Sequence, residues 1–418
     1  MAGRPAQPMP AWRLRLPGSW GNNVTASITE LSRGRSQVPE DFERIASLGP
    51  EFDAEATRIE KLCRLAVVGL QRMHAGGGSF PHTMRLIGKG DAATLRPEGE
   101  NLRYSINVAQ GVALLPVAQQ RQILGGLTAD EAVPFLIERA LRSGETGAVA
   151  LAAWAAAEVS GLHVPELFDL LAGALADGKV TDTVPCAWSL TAALAGEGLG
   201  DTALVKALAR KRLLTEQSTS GLFPHVNPRN ANGWRSHVGS FADQIYAIQA
   251  LGRLAARDDD WAASAAAESC AARIVQLQGA SGQWWWHYDV RYGSIVEGYP
   301  VYSVHQHAMA PMGLLDLRDN GGTNYTAAVM KGVDWIDHHP ETPAPVVSER
   351  HAMVWRKVGR REPRKLVRTA STVTSRLNRG LRMPAADLLF PAGAVDYECR
   401  PYEFGWMLYA WRSRTTLN

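Results

Sequence analysis

Residues 278–284 read Gln278-Gly279-Ala280-Ser281-Gly282-Gln283-Trp284. The same spacing returns at Gln217-Ser218-Thr219-Ser220-Gly221-Leu222-Phe223 and, with His for Gln, at His74-Ala75-Gly76-Gly77-Gly78-Ser79-Phe80. Each stretch closes an amphipathic helical pattern and precedes a polar loop and a more apolar helical pattern. The chemistry suits a helix end. Gln can satisfy helix-end groups, Gly supplies a left-handed turn, and the aromatic ring packs over what lies beneath. Repetition of one turn predicts a repeated helix-turn-helix unit.

Outward from these turns, the chain alternates between two helix types. One has a charged outer face; the other is Ala-rich and apolar almost all round, and so is expected to be buried on most sides. The pairs are 53–73 with 104–115, 128–142 with 145–160, 164–177 with 182–195, 202–217 with 239–254, 261–278 with 302–317, and 325–338 with 399–412. Gly161, Gly178 and Gly198 mark boundaries. No alternating strand pattern of useful length interrupts them. The expected fold is all-α, an (α/α)6 toroid over 51–418 with charged helices outside and Ala-rich helices inside. An open solenoid is the alternative. Residues 1–50, rich in Pro, Gly and Arg, are expected to form an N-terminal arm.

With this period and these turns, the chain resembles the terpenoid cyclase and protein prenyltransferase superfamily of α/α toroids with Q-W repeats. The turns Gly78-Ser79-Phe80-Pro81-His82 and Gly221-Leu222-Phe223-Pro224-His225 are also similar to those of toroidal pectate lyases. The resemblance implies the toroid. The acidic motifs that cyclase chemistry needs, Asp-x-Asp-Asp and Asp-Asp-x-x-Asp, are absent from the inner helices; Thr181-Asp182-Thr183 has one acid, and Asp258-Asp259-Asp260 starts an outer helix.

Among 418 residues, 46% are hydrophobic and 20% charged, enough to bury a large core. The opening segment lacks a secretory apolar run and no stretch is long enough to span a membrane, so a cytoplasmic protein is expected. Cys63, Cys186, Cys270 and Cys399 form no CxxC pair and read as reduced thiols. Net charge is +3, but 351–384 alone carries +9, leaving −6 elsewhere. That basic segment is expected to be a mobile insertion before the last helix. It could stay solvated, bind a polyanion such as an acidic polysaccharide, or lie on an anionic membrane surface. No nucleic-acid reading motif accompanies it.

In such a ring, the loops entering the inner helices line one mouth. They supply Glu100, Arg103, Tyr104 and Asn107; Glu145; Asp182; His225, Arg235, His237, Asp243, Gln244 and Tyr246; the run from Trp284 to His307; and Glu398, Arg400, Tyr402 and Glu403. Ionisable groups on apolar helices are costly without a purpose. Trp284, Trp285 and Trp286 are expected to offer a face for sugar stacking, with Tyr302, Asp289, His307, His225 and Arg103 as further substrate contacts. Arg291 and Arg400 are expected to bind anions. His305 and Tyr288 are the expected proton-transfer groups, and Asp243 and Glu403 acid/base partners. His305 and His307 lie about 200° apart on a helix, which argues against a shared metal; no metal or cofactor is expected. The leading expectation is an enzyme acting on an oligo- or polysaccharide, uronate-containing glycans included, with lyase, epimerase and hydrolase chemistry open. An isoprenoid enzyme and a non-catalytic glycan-binding toroid are the alternatives.

Overall fold

The computed structural model describes residues 43–177, 179–226, 235–362, 366–377 and 388–411. Most of the expected arm, Gly178, and Arg364, Lys365, Arg379 and Arg382 of the basic stretch lie outside the described residues. The compact unit described below spans Val38–Asn418.

The outer helices are α2 (Asp53–Met73), α5 (Ala129–Ser143), α7 (Pro165–Leu175), α9 (Ala203–Glu216), α11 (Trp261–Gln276) and α13 (Thr326–His338). The inner helices are α3 (Leu102–Val112), α6 (Thr146–Ser160), α8 (Thr183–Ala195), α10 (Phe241–Asp258), α12 (Ala310–Asp319) and α15 (Pro401–Trp411). Short helices α1 (Glu43–Ala46) and α4 (Val117–Ile123) were not expected from the pattern. Neighbouring inner helices pack in chain order, and α15 returns to pack on α3, so the array closes as an α/α toroid rather than running on as a solenoid. Small residues make the closure possible. A Cβ on Gly111 of α3 would lie 2.1 Å from the carbonyl oxygen of Gly405 on α15. α6 is buried continuously from Gly147 to Ala157, as its Ala-rich sequence requires.

The repeated turn works as a staple. The Gln217 amide donates to its own turn at Gly221 O and to Ala266 O of α11, both at 2.8 Å. Gln278 does the same to Gly282 O (3.0 Å) and to Ala328 O of α13 (2.8 Å). Each Gln thus ties one outer helix to the next and satisfies carbonyls that would otherwise be orphaned. Gly282 has φ +92°, and a Cβ there would meet Lys331 O at 2.0 Å, so only Gly fits. Phe80, Phe223 and Trp284 are fully buried. Inner-helix side chains hold their backbone: Gln244 accepts from Phe223 N (2.7 Å) and Gln306 from Trp284 N (3.2 Å). Gln244, read from sequence as a mouth group, is spent here.

The all-α expectation holds for the body of the chain, with short strands at its margin. Short strands edge the toroid: β1 (Thr83–Ile87), β2 (Thr94–Glu98), β3 (Val238–Ser240), β4 (His287–Asp289), β5 (Ser294–Glu297), β6 (Val301–Tyr302), β7 (Val347–Ser348), β8 (Met353–Val354), β9 (Lys357–Arg360), β10 (Ala392–Asp396) and β11 (Glu398–Cys399). They form three-stranded sheets ordered β11-β1-β2, β10-β9-β6 and β3-β4-β5, and the pair β7-β8. Two to five residues are too few for a periodic signal, and partners such as β1 and β11 are far apart in sequence.

The basic segment also differs from a mobile insertion. Met353, Val354, Trp355 and Val358 are buried, β9 is a central strand, and α14 (Leu366–Leu377) follows. Among its described residues three cations are paired: Arg360 with Glu297 at 2.8 Å, Lys357 with Asp396 at 2.5 Å, and Arg356 with Glu398 at 3.3 Å. α14 docks through hydroxyls, Ser371 to Glu297 and Ser375 to His237.

At the C-terminal ends of the inner helices, Arg253 binds Glu158 (3.1 Å) and Asp316 (2.6 Å), and Arg44 of α1 adds a second contact to Asp316 (2.6 Å). Burial alone would raise the Asp316 carboxyl, but the two guanidiniums hold it down at about 2. No described helix is long and apolar enough to cross a membrane.

Candidate active site

The inner helices run parallel, so their N-termini converge on one mouth and bring partial positive charge to it. Acidic residues sit at several of these ends. Glu145 and Asp182 are the N-caps of α6 and α8; Asp243 and Glu403 are the third residues of α10 and α15. Three residues further along, Tyr246 and Trp406 meet across the axis with ring centroids 6.1 Å apart. Trp188 packs edge-on against Tyr246 at 5.0 Å and Trp154 lies 5.6 Å from Trp406. Asp243 and Glu403 therefore each stand one helical turn from this aromatic contact.

Asp243 is fully buried, and both of its oxygens are engaged. One accepts from Ser240 N and Oγ in a capping box, both at 2.7 Å; the other meets His225 Nδ1 at 3.2 Å. His225 is 55% exposed, and its Nε2 lies 3.6 Å from Asp182, itself 46% exposed. The hydrogen bond from Asp243, then its charge and that of Asp182, lift the imidazole to about 9, so it is protonated at neutral pH. Unlike Glu145, which spends its oxygens on the amides of Gly147 and Ala148, Asp182 makes no capping bond. Asp182 is thus a carboxylate facing the opening.

Across the mouth, Glu403 is fully buried and neither oxygen has a hydrogen-bond partner among the described residues. Burial lifts its carboxyl to about 8 against the pull of Arg356 and Arg400. Arg400 Nη1 donates to the Tyr104 hydroxyl at 2.8 Å, and Tyr104 lies 4.6 Å from Tyr402 and 5.5 Å from His82. Arg103 reaches Glu145 at 3.6 Å, its stem beside Gly147 and Trp188.

The segment from Trp284 to His307 is more structural than the sequence suggested. Trp284 and Tyr288 are fully buried, which leaves neither an exposed face for stacking nor an accessible phenol. Burial drives the Tyr288 hydroxyl well above its usual range. His305 and His307 fall in a single π-helical turn, His305–Met309. Burial lowers both to about 3, so they are neutral, and His305 stacks between Phe241 (4.5 Å) and Tyr302 (5.2 Å). Arg291 is held by the Asp289 carboxylate at 2.8 Å. Trp285 donates to Leu277 O (2.8 Å). Trp286, half-buried, packs on His287 (4.1 Å) and Tyr302 (4.9 Å). The Tyr302 ring is covered by Arg356 at 5.1 Å. Among the described residues no group of His, Cys, Asp and Glu could hold a metal ion. Arg356 was read only as part of a basic run; pairing of β9 with β6 brings it here, a contact that no local sequence signal carries.

No family model and no curated relative matches the sequence. Solved structures do match its shape. One is an unsaturated glucuronyl hydrolase specific for heparin, with TM-score 0.53, 12% identity, and 85% of this chain and 96% of that one covered. Another, from Streptococcus agalactiae, gives TM-score 0.52 at 8% identity over 89% of this chain and 94% of that one. A third, from Bacillus sp. GL1 and described as responsible for glycosaminoglycan degradation, gives 0.51 at 10% identity over 85% and 96%. The likeness is one of fold. This chain is an α/α toroid, built like those enzymes. The terpenoid cyclase superfamily that its turns resemble is a finer assignment that this likeness does not carry.

Proposed function

We propose that this chain is a carbohydrate-active enzyme of the hydrolase type that acts on an acidic, uronate-containing oligosaccharide at the toroid mouth. The observation that carries the reading is His225: open to solvent, oriented by buried Asp243, charged at neutral pH, and beside the exposed carboxylate of Asp182. An oriented imidazolium next to a carboxylate is a positioned acid. In the proposed reaction His225 Nε2 gives its proton to the departing glycosidic oxygen as the C–O bond breaks. The water oxygen bonds to the anomeric carbon and its proton passes to solvent. Asp182, 3.6 Å from Nε2, holds the imidazole charged and aligned. It is too near the acid to serve as base on the far face, where about 6.5–9.5 Å would be needed. Trp286 and Tyr402 offer ring faces to the sugar, and the converging helix N-termini favour an anion.

The names of the structural neighbours support a uronate as the sugar and hydrolysis over elimination or epimerisation. An isoprenoid substrate is disfavoured by the charged groups of the mouth itself, His225 with Asp182 and Arg103 with Glu145. The finer partner reading, a polyanion or membrane surface held by 351–384, loses Lys357 and Arg360, which are committed to Asp396 and Glu297. The test is turnover of purified protein on saturated and unsaturated uronyl oligosaccharides, with products read by mass. Release of a uronic acid that disappears in His225→Ala and Asp182→Asn is expected. Glycan binding without turnover would instead identify a binding toroid.

A further inference from the structure

We propose that the corner of the mouth between the first and last hairpins, where Arg103, Arg356 and Arg400 gather around Tyr104 and His82, is the subsite for the substrate's anionic group, a sugar carboxylate or sulfate. The inference rests on the reading above that the substrate is an acidic glycan.

Cations outnumber their partners in this corner. Among the described residues Arg400 has no carboxylate within ion-pair distance; its Nη1 serves only the Tyr104 hydroxyl at 2.8 Å, and its Nε is buried with no acceptor. Arg356 Nε is buried without an acceptor too. Its Nη1 shares Glu398 (3.3 Å) with Arg85 (2.5 Å), and reaches Asp396, which Lys357 already holds, only at 3.9 Å. Arg103 has only Glu145 at 3.6 Å, whose oxygens are spent on helix amides. Buried guanidinium donors without acceptors are costly, and a carboxylate or sulfate is the group that matches their planar fork.

Arg103, Arg356, Arg400, Tyr104, Tyr402 and His82 are all half-buried, so the corner opens toward the mouth. The paired rings of Tyr104 and Tyr402 give a sugar a surface beside the charge. His82 adds none: its own burial, then Arg400 and Arg356, hold its imidazole below the usual range. Beneath lies Glu403, faced by Arg356, Arg400, Asp396 and Glu398, with Tyr402 and Cys399 packed alongside. Because burial keeps it protonated up to about pH 8, it does not cancel the arginines at neutral pH.

The experiment is titration calorimetry of the full chain with glucuronate, N-acetylglucosamine 6-sulfate and glucose. Glucuronate or the sulfated sugar should bind and glucose should not; which of the two binds identifies the anion. Arg400→Met should weaken binding at least tenfold, with Arg103→Met as the second variant should Arg400→Met fail to fold. Arg257→Met, at the far end of α10, should bind as wild type. Affinity should fall as pH rises from 7 to 9, and Glu403→Gln should remove the part of that fall centred near pH 8, leaving the part that His225 contributes near pH 9. Equal binding of glucose, unchanged affinity in both arginine variants, or an unchanged pH profile in Glu403→Gln would overturn the subsite. Binding without turnover would sink the hydrolase reading alone; turnover with Arg400→Met unimpaired would sink the subsite alone.

Discussion

Tyr246 and Trp406, carried by inner helices from opposite halves of the chain, touch across the axis at 6.1 Å. Each lies one turn below an acid on its own helix, Asp243 on one and Glu403 on the other. The two acids then differ by environment. Asp243 is saturated with hydrogen bonds; Glu403 has none.

That difference predicts a pH signature in stability. Glu403 rises from 4.5 unfolded to about 8 folded through burial. Below pH 4.5 it is neutral in both states and costs nothing. Between there and about pH 8 the unfolded chain releases the proton and the folded chain keeps it, so stability drains away as pH rises, by at most about 1.4 kcal/mol per unit. Urea unfolding of Glu403→Gln across pH 5–8 should show a shallower decline than wild type. Parallel curves would mean that the carboxyl is not held neutral.

His225 moves in the same direction for the opposite reason. Its imidazolium is favoured by Asp243, so the alkaline limb of activity should fall near pH 9. Asp243→Asn removes the largest cause and should move both the limb and the imidazole NMR titration downward. A limb that stays in place would take His225 out of the proposed chemistry.

The closed end of the ring predicts a stability effect without a direct catalytic one. Removing Arg253 leaves Glu158 and Asp316 facing each other's surroundings with one guanidinium fewer. Loss of a partner from a buried pair costs about 3–5 kcal/mol. Arg253→Met should lower the urea midpoint accordingly, while a shift within error would show the network to be dispensable.

The turn staples predict a graded loss. Gln278→Leu frees the carbonyls of Gly282 and Ala328 and should cost about 1–3 kcal/mol. Gln217→Leu should match it, because the geometry repeats. A negligible loss in both would reduce the repeat to its Gly and aromatic positions.

The sequence by itself determined the ring. Helical period, Ala-rich inner stripes and the Gln-Gly-aromatic turn are local signals, each written within a few turns of chain, and they specify hairpins whose apolar faces must be buried together. Predicted bounds such as 145–160 and 325–338 lie within two residues of α6 and α13. They also fixed which acids start inner helices, Asp243 and Glu403 among them. What tertiary structure alone decided was the environment of each polar group. Trp284 and Trp286 are two residues apart in one strip of sequence, yet one is sealed beneath the turn and the other half-open. Arg291 and Arg400 look alike, yet among the described residues only Arg291 is paired with a carboxylate. Arg356 reaches the mouth through strands too short to announce themselves. Burial and charge pairing are sums over neighbours from distant parts of the chain, so they exist only once the ring has closed.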